Sequence, residues 1–166
     1  MDEYVIRRNK LAAQMSNASV AILCGASIKI RNNDAEYKFR QNSDFYYLTG
    51  FEEPDAVLAL CKDEKGNVLY VLFNQANDPV AEIWNGKRIG QDNACKIYNA
   101  DKSYDISKID EDMPALLANK QIIYYPFLAI ARALPTKKLH YSCATQFAHV
   151  CQHLIHLYSD PGLNFQ

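Results

Sequence analysis

The chain has 166 residues, 49% of them apolar and 22% charged, and 18 Lys and Arg against 19 Asp and Glu leave a formal net charge of -1. That balance excludes a disordered or fibrous chain, and it excludes a global field that would draw in nucleic acid or an anionic membrane. A chain of this length buries roughly 70% of the surface it exposes when unfolded, so one core suffices, and with no repeat or linker residues 1–166 read as a single domain.

Residues 2–15 are predicted to form a helix, with Tyr4, Leu11 and Met15 near one face and Asp2 and Glu3 placed to complement the N-terminal dipole. SVAILCGA, 19–26, is a short apolar run ended by Gly25 and reads as a buried strand. AVLALC (56–61) and VLYVLF (68–73) flank the turn-forming KDEKGN, the signature of a hairpin. Neither run alternates apolar with polar residues, so both faces of these strands should be covered. The expected fold class is α/β, a mixed sheet covered by helices on both faces.

Further along, 105–120 carries helical spacing, with Pro114 marking its first turn or a break. QIIYYPF reads as a strand that ends at Pro126, and a short helical piece around 130–134 stops at Pro135. Residues 143–158 form the best amphipathic helix, with Phe147, Val150, Cys151, Leu154, Leu157 and Tyr158 on one broad face. The longest apolar runs fall far short of the roughly 20 residues of a membrane helix. The start, MDEYVIRRNKL, lacks the apolar stretch of a secretory signal, so a cytoplasmic home with no membrane partner is expected.

Chemistry is sparse. Cys24, Cys61, Cys95, Cys143 and Cys151 are odd in number with no CxxC pair, which points to reduced thiols. His149, His153 and His156 share a narrow arc of the last helix and could share a surface metal, or form a solvated or docking face. The zinc-protease helix needs a glutamate where Val150 stands. No GxSxG elbow and no phosphate loop are present, and Ser43 beside Asp44 reads as a turn or helix cap. Lys29, Arg31, Lys38 and Arg40 interleave with Tyr37 and Phe39 as in single-strand binders, but Asp34, Glu36 and Asp44 cancel their field, so no nucleic-acid partner is expected. Glu52, Glu53 and Asp55 around Pro54 read as a solvated, charged turn.

The stretch RNNDAEYKFRQNSDFYYLTGFEEPDAVLAL, 31–60, resembles the N-terminal domain of aminopeptidase P, the Xaa-Pro aminopeptidase family. The matching positions are Arg31, Asp34, Tyr37, Phe39, Arg40, Gln41, Ser43, Asp44, Phe45, Tyr47, Leu48, Thr49, Gly50 and Phe51, then Glu52 or Glu53, Pro54 and Ala56. AEIWNGKRIGQDNA, 81–94, is similar to a later segment of that domain, with Trp84, Gly86, Arg88 and Gly90 in order. The resemblance implies a ribonuclease H-like arrangement and no catalytic group, cofactor or metal ligand in this chain. It places the chemistry in a C-terminal pita-bread domain holding two metal ions, usually manganese, which releases the residue ahead of proline from Xaa-Pro peptides.

What the resemblance implies for the chain itself is substrate access and subunit assembly, with its own catalytic domain and a homo-oligomer as partners. Trp84 and Arg88 are the candidates for access. Trp84 either reaches an active site or is a partly buried aromatic, and Asn85-Gly86 marks a turn beside it. For Arg40, Gln41 and Asp44 the expected role is structural, through polar pairs that fix the segment. The rival reading is a stand-alone peptide- or protein-binding module.

Overall fold

The computed structural model describes residues 2–33, 35–125 and 164–165. Helix α1, Glu3–Gln14, starts where the Asp2 carboxylate accepts from the Tyr4 amide at 3.2 Å, and it leads into strand β1, Ser19–Cys24. A ribbon of two short antiparallel strands follows, β2 (Ile30–Asn32) and β3 (Ala35–Glu36). Helix α2, Ser43–Thr49, is capped by Asn42, whose side chain accepts from the Asp44 and Phe45 amides. Strands β4 (Val57–Lys62) and β5 (Val68–Asn74) form the expected hairpin. Helices α3 (Pro79–Asn85) and α4 (Gly90–Tyr98) lead to β6, Lys102–Asp105. A 3-10 turn, Ile106–Lys108, then joins α5 (Ile109–Leu117), and β7 (Ile122–Tyr124) and β8 (Asn164–Phe165) complete the sheet.

The main sheet has the order β6-β5-β4-β1-β7-β8. Strand β4 runs antiparallel to both of its neighbours, and every other pairing is parallel. Both faces are dry because successive residues of each central strand point to opposite layers and both are apolar. Val57, Ala59 and Cys61 pack with Ile109, Met113 and Leu117 of α5. Leu58 and Leu60 pack with Ala12, Phe45, Leu48 and Ala94 from α1, α2 and α4. Fully burying side chains of the size of Phe45, Phe51 and Phe73 stabilises the fold by about 2–3 kcal/mol each. The mixed sheet covered on both faces is the architecture expected from the unbroken apolar runs.

Pro114 departs from expectation, since it marks neither the first turn nor a break but sits inside α5. A proline costs a helix the donor for the carbonyl four residues back, here that of Asp110, and Asp110 is exposed, where solvent can serve it. The ribbon, α3, α4 and β6 add to the elements that the sequence pattern predicts. The helices expected over 130–134 and 143–158 lie outside the described residues.

The two rims of the sheet differ. At one, connections are short and tied by backbone pairs: Ala18 donates to the Asp63 carbonyl at 3.1 Å, Gln121 to Ala18 at 2.7 Å and Asp63 to Asn67 at 3.0 Å. The carboxyl ends of β1, β5 and β6 lie at the other, where 25–42 and 75–89 form long excursions.

Candidate functional site

The long-loop rim carries a polar network that ties the two motif segments together. Gln41 is its first knot: its Oε1 accepts from the Ala26 amide at 2.6 Å and the Asn42 amide at 2.8 Å, while its Nε2 donates to the Glu53 carbonyl at 2.9 Å. Glu53 then reaches across the rim, where its Oε1 accepts from the Ile89 amide at 2.8 Å. Its other oxygen, Oε2, is buried and has no hydrogen-bond partner among the described residues. Burial pushes the Glu53 carboxyl above the usual carboxylate range, against the Ile89 amide and the nearby Arg88, which favour the charged form, while Glu82 opposes it.

Arg88 is held at two points. Its amide donates to Glu82 Oε1 at 3.0 Å, and its Nε donates to Gln75 Oε1 at 2.7 Å. Gln75 in turn donates to Asp55 Oδ2 at 3.3 Å. Nearby, the fully buried Asn74 accepts from the Ser103 hydroxyl at 2.6 Å, and its carbonyl accepts from Gln91 Nε2 at 3.0 Å. The successive amides of Arg88 and Ile89 are thus each received by a carboxylate, one from α3 and one from the turn before β4. Above this mount, α3 exposes Val80 (71%) and Ile83 (77%) on one side, three residues apart.

The family model described as aminopeptidase P, N-terminal domain, matches residues 4–124. The chain belongs to this family. An Xaa-Pro aminopeptidase from Escherichia coli is 42% identical over 123 residues, which is 74% of this chain and 28% of that protein. Among solved structures, aminopeptidase PepP of Pseudomonas aeruginosa has a TM-score of 0.79 at 37% identity, covering 98% of this chain and 35% of its own. The Zn-substituted E. coli aminopeptidase P in complex with product has a TM-score of 0.78 at 34% identity, over 98% of this chain and 34% of its own. The chain therefore spans about a third or less of the relatives it matches, and the aligned portion is the aminopeptidase P N-terminal domain.

Within that domain the motif residues divide by role. Phe45, Leu48 and Pro54 are buried. Thr49 is also buried, and its hydroxyl donates to the Phe45 carbonyl at 2.8 Å and accepts from the Phe51 amide at 3.0 Å. Gly50 closes α2 at φ 68°. Tyr47 is exposed, and the Arg7 guanidinium lies 4.1 Å from its ring centroid. Arg31 is exposed on the ribbon and Tyr37 just after it, Phe39 is half-buried, and Asp34 lies outside the described residues.

Among the described residues, of the polar pairs expected of Arg40, Gln41 and Asp44, those of Gln41 are formed. Arg40 and Asp44 are exposed, and Asn42, not Ser43 or Asp44, supplies the α2 cap. Nor is the 52–55 turn simply solvated: Glu53 and Asp55 are half-buried and bonded into the network, because the segment before α4 folds back over them. Trp84 lies on α3, and Asn85-Gly86 ends that helix, with Gly86 at φ 76° and its amide donating to the Glu82 carbonyl. His149, His153 and His156 lie outside the described residues.

Among the described residues no group of three or more His, Cys, Asp or Glu could hold a metal ion, and no helix is long and apolar enough to cross a membrane. Cys24, Cys61 and Cys95 are free thiols, and burial pushes that of Cys61 up to about 11.

Proposed function

We propose that this chain is the single, non-catalytic N-terminal domain of an Xaa-Pro aminopeptidase, shaping substrate access and subunit assembly for a catalytic domain outside these 166 residues. The observation that carries the reading is the combination at the long-loop rim. An apolar helix face, Val80 and Ile83, stands in solvent on a mount fixed by Glu53, Gln75 and Glu82. Exposed apolar residues on a fixed support suit a surface that another protein part covers.

In this reading Trp84 and Arg88 are the residues offered to an active site within a cytoplasmic homo-oligomer. Arg88 is anchored through its backbone and Nε, and among the described residues no acceptor meets its two Nη groups, which leaves them to meet an anionic or carbonyl group. The missing domain would hold the metal pair, manganese by resemblance, and supply the water that attacks the carbonyl ahead of proline.

The test is hydrolysis of a short Xaa-Pro peptide with added manganese, comparing this chain with the same chain extended by its downstream reading frame. Activity only in the extended chain supports the reading. Turnover by the 166 residues alone overturns it, and silence from both favours the stand-alone binding module.

A further inference from the structure

We infer that Glu53 is a positioning residue, whose carboxylate acts through the Ile89 amide to set where the Trp84- and Arg88-bearing segment sits on the rim. The inference rests on the reading that Trp84 and Arg88 serve an active site, and it gives a specific role to Glu53, which the sequence reads only as a motif position in a charged turn.

The geometry is specific. Ile89 is the N-cap position of α4 and has no side-chain cap of its own, so its neighbourhood needs an acceptor from elsewhere in the chain. Glu53 supplies one, and a carboxylate at a helix N-terminus is also favoured by the helix dipole. Glu53 is itself fixed, because its carbonyl accepts from Gln41 Nε2 and Gln41 Oε1 accepts from Ala26 and Asn42. The line Ala26, Gln41, Glu53, Ile89 therefore runs from the end of β1 to the start of α4 and crosses both motif segments.

The segment cannot easily settle elsewhere once this contact is made. Gly90 follows at φ 70°, and a Cβ there would meet Asn77 Oδ1 at 2.6 Å, so the start of α4 is closely seated against 77. On the other side of the contact, the Arg88 amide is received by Glu82 within its own segment. Glu82 shapes the segment internally, whereas Glu53 and Gln75 join it to the sheet.

Among the described residues only one carboxylate oxygen is used, and Oε2 is buried with no hydrogen-bond partner among them. Reach, rather than charge, should therefore carry the role. Glu53→Gln keeps the acceptor at the same distance and loses the charge; Glu53→Asp keeps the charge and loses one methylene of reach.

Trp84 is the only tryptophan in the chain, so its fluorescence reports on this segment. The experiment measures hydrogen exchange of the Ile89 amide and acrylamide quenching of Trp84 in wild type, E53Q and E53D, with thermal melts alongside. In E53D the Ile89 amide should exchange on the order of ten times faster, as for loss of one hydrogen bond, and Trp84 quenching should shift, while E53Q matches wild type. Wild-type behaviour in E53D, or release in E53Q equal to that in E53D, would overturn the inference, and so would loss of folding in E53Q.

In the extended chain, E53D should raise KM for an Xaa-Pro peptide with kcat little changed. If the exchange and quenching signature is present but the extended chain has no peptidase activity, the aminopeptidase reading fails and the positioning role stands. If the signature is absent, the role of Glu53 fails whatever the activity.

Discussion

The Arg8 guanidinium lies 4.0 Å from the centroid of the Tyr70 ring, buried between α1 and the sheet. From there Nη1 donates to the Leu48 carbonyl at 2.9 Å and Nη2 to the Tyr98 carbonyl at 3.4 Å. These carbonyls close the last turns of α2 and α4, where unpaired acceptors gather and a cation is favoured. One side chain thus joins three helices and a strand. Burial lowers the Arg8 pKa, but arginine stays charged throughout the accessible range.

Arg8→Ala should cost about 3 kcal/mol, since it strands two carbonyls and opens a cavity under Tyr70. Thermal denaturation should show Tm lowered by roughly 6–12 °C. Arg8→Lys should recover little of this, because an ammonium neither stacks as a plane nor forks to two acceptors.

Tyr70→Phe should be neutral or stabilising by up to about 1 kcal/mol. The Tyr70 hydroxyl is buried with no hydrogen-bond partner among the described residues, so its desolvation is uncompensated. The same burial pushes the phenol well above its ordinary range. Urea unfolding midpoints at constant m-value are the measurement, and a clear loss of stability would show that the hydroxyl is satisfied.

Gly50→Ala should destabilise by about 1–2 kcal/mol from the left-handed backbone alone. A further cost comes from the Tyr4 ring, whose Cε2 would lie 2.6 Å from the new methyl. A double-mutant cycle with Tyr4→Ala separates the two: the steric part should vanish in the double variant and the backbone part should remain. Additive effects would mean that the ring moves aside at no cost.

Glu53 should make stability fall as pH rises. Its folded pKa is raised by burial, so the folded state holds a proton that the unfolded chain, titrating at about 4.3, has already released. Its contribution is most favourable below that unfolded value and is lost as pH climbs through the folded one. Glu53→Gln should flatten this part of the profile and be at least as stable as wild type at pH 7, read from denaturant midpoints between pH 4 and 7. An unchanged profile would place the titration elsewhere.

The hairpin of β4 and β5 was readable because its signals are local: two apolar runs, a turn between them, and no alternation to suggest a wet face. Helix α4 gave no comparable pattern, since its buried positions are Gly90 and Ala94, too small to mark a stripe. The ribbon of β2 and β3 is exposed along its length, so no apolar periodicity announced it. Glu53 looks like a solvated turn residue in sequence because its partner, Ile89, lies 36 positions away. Arg8 did leave a trace, for a cation one turn after Tyr4 and ahead of Ala12 falls on the face of α1 that turns inward. The motif marked the segments that matter at the rim, but not which of their polar residues would bond.

The unequal rims of the sheet bear on how relatives of this chain can diverge. An added residue near 18, 63 or 121 must break a backbone pair that joins neighbouring connections. The same residue added to the exposed stretches 28–33 or 35–38 displaces little. Length variation among such domains should therefore collect at one end of the strands, leaving the other end as the fixed frame against which new surfaces can be tried.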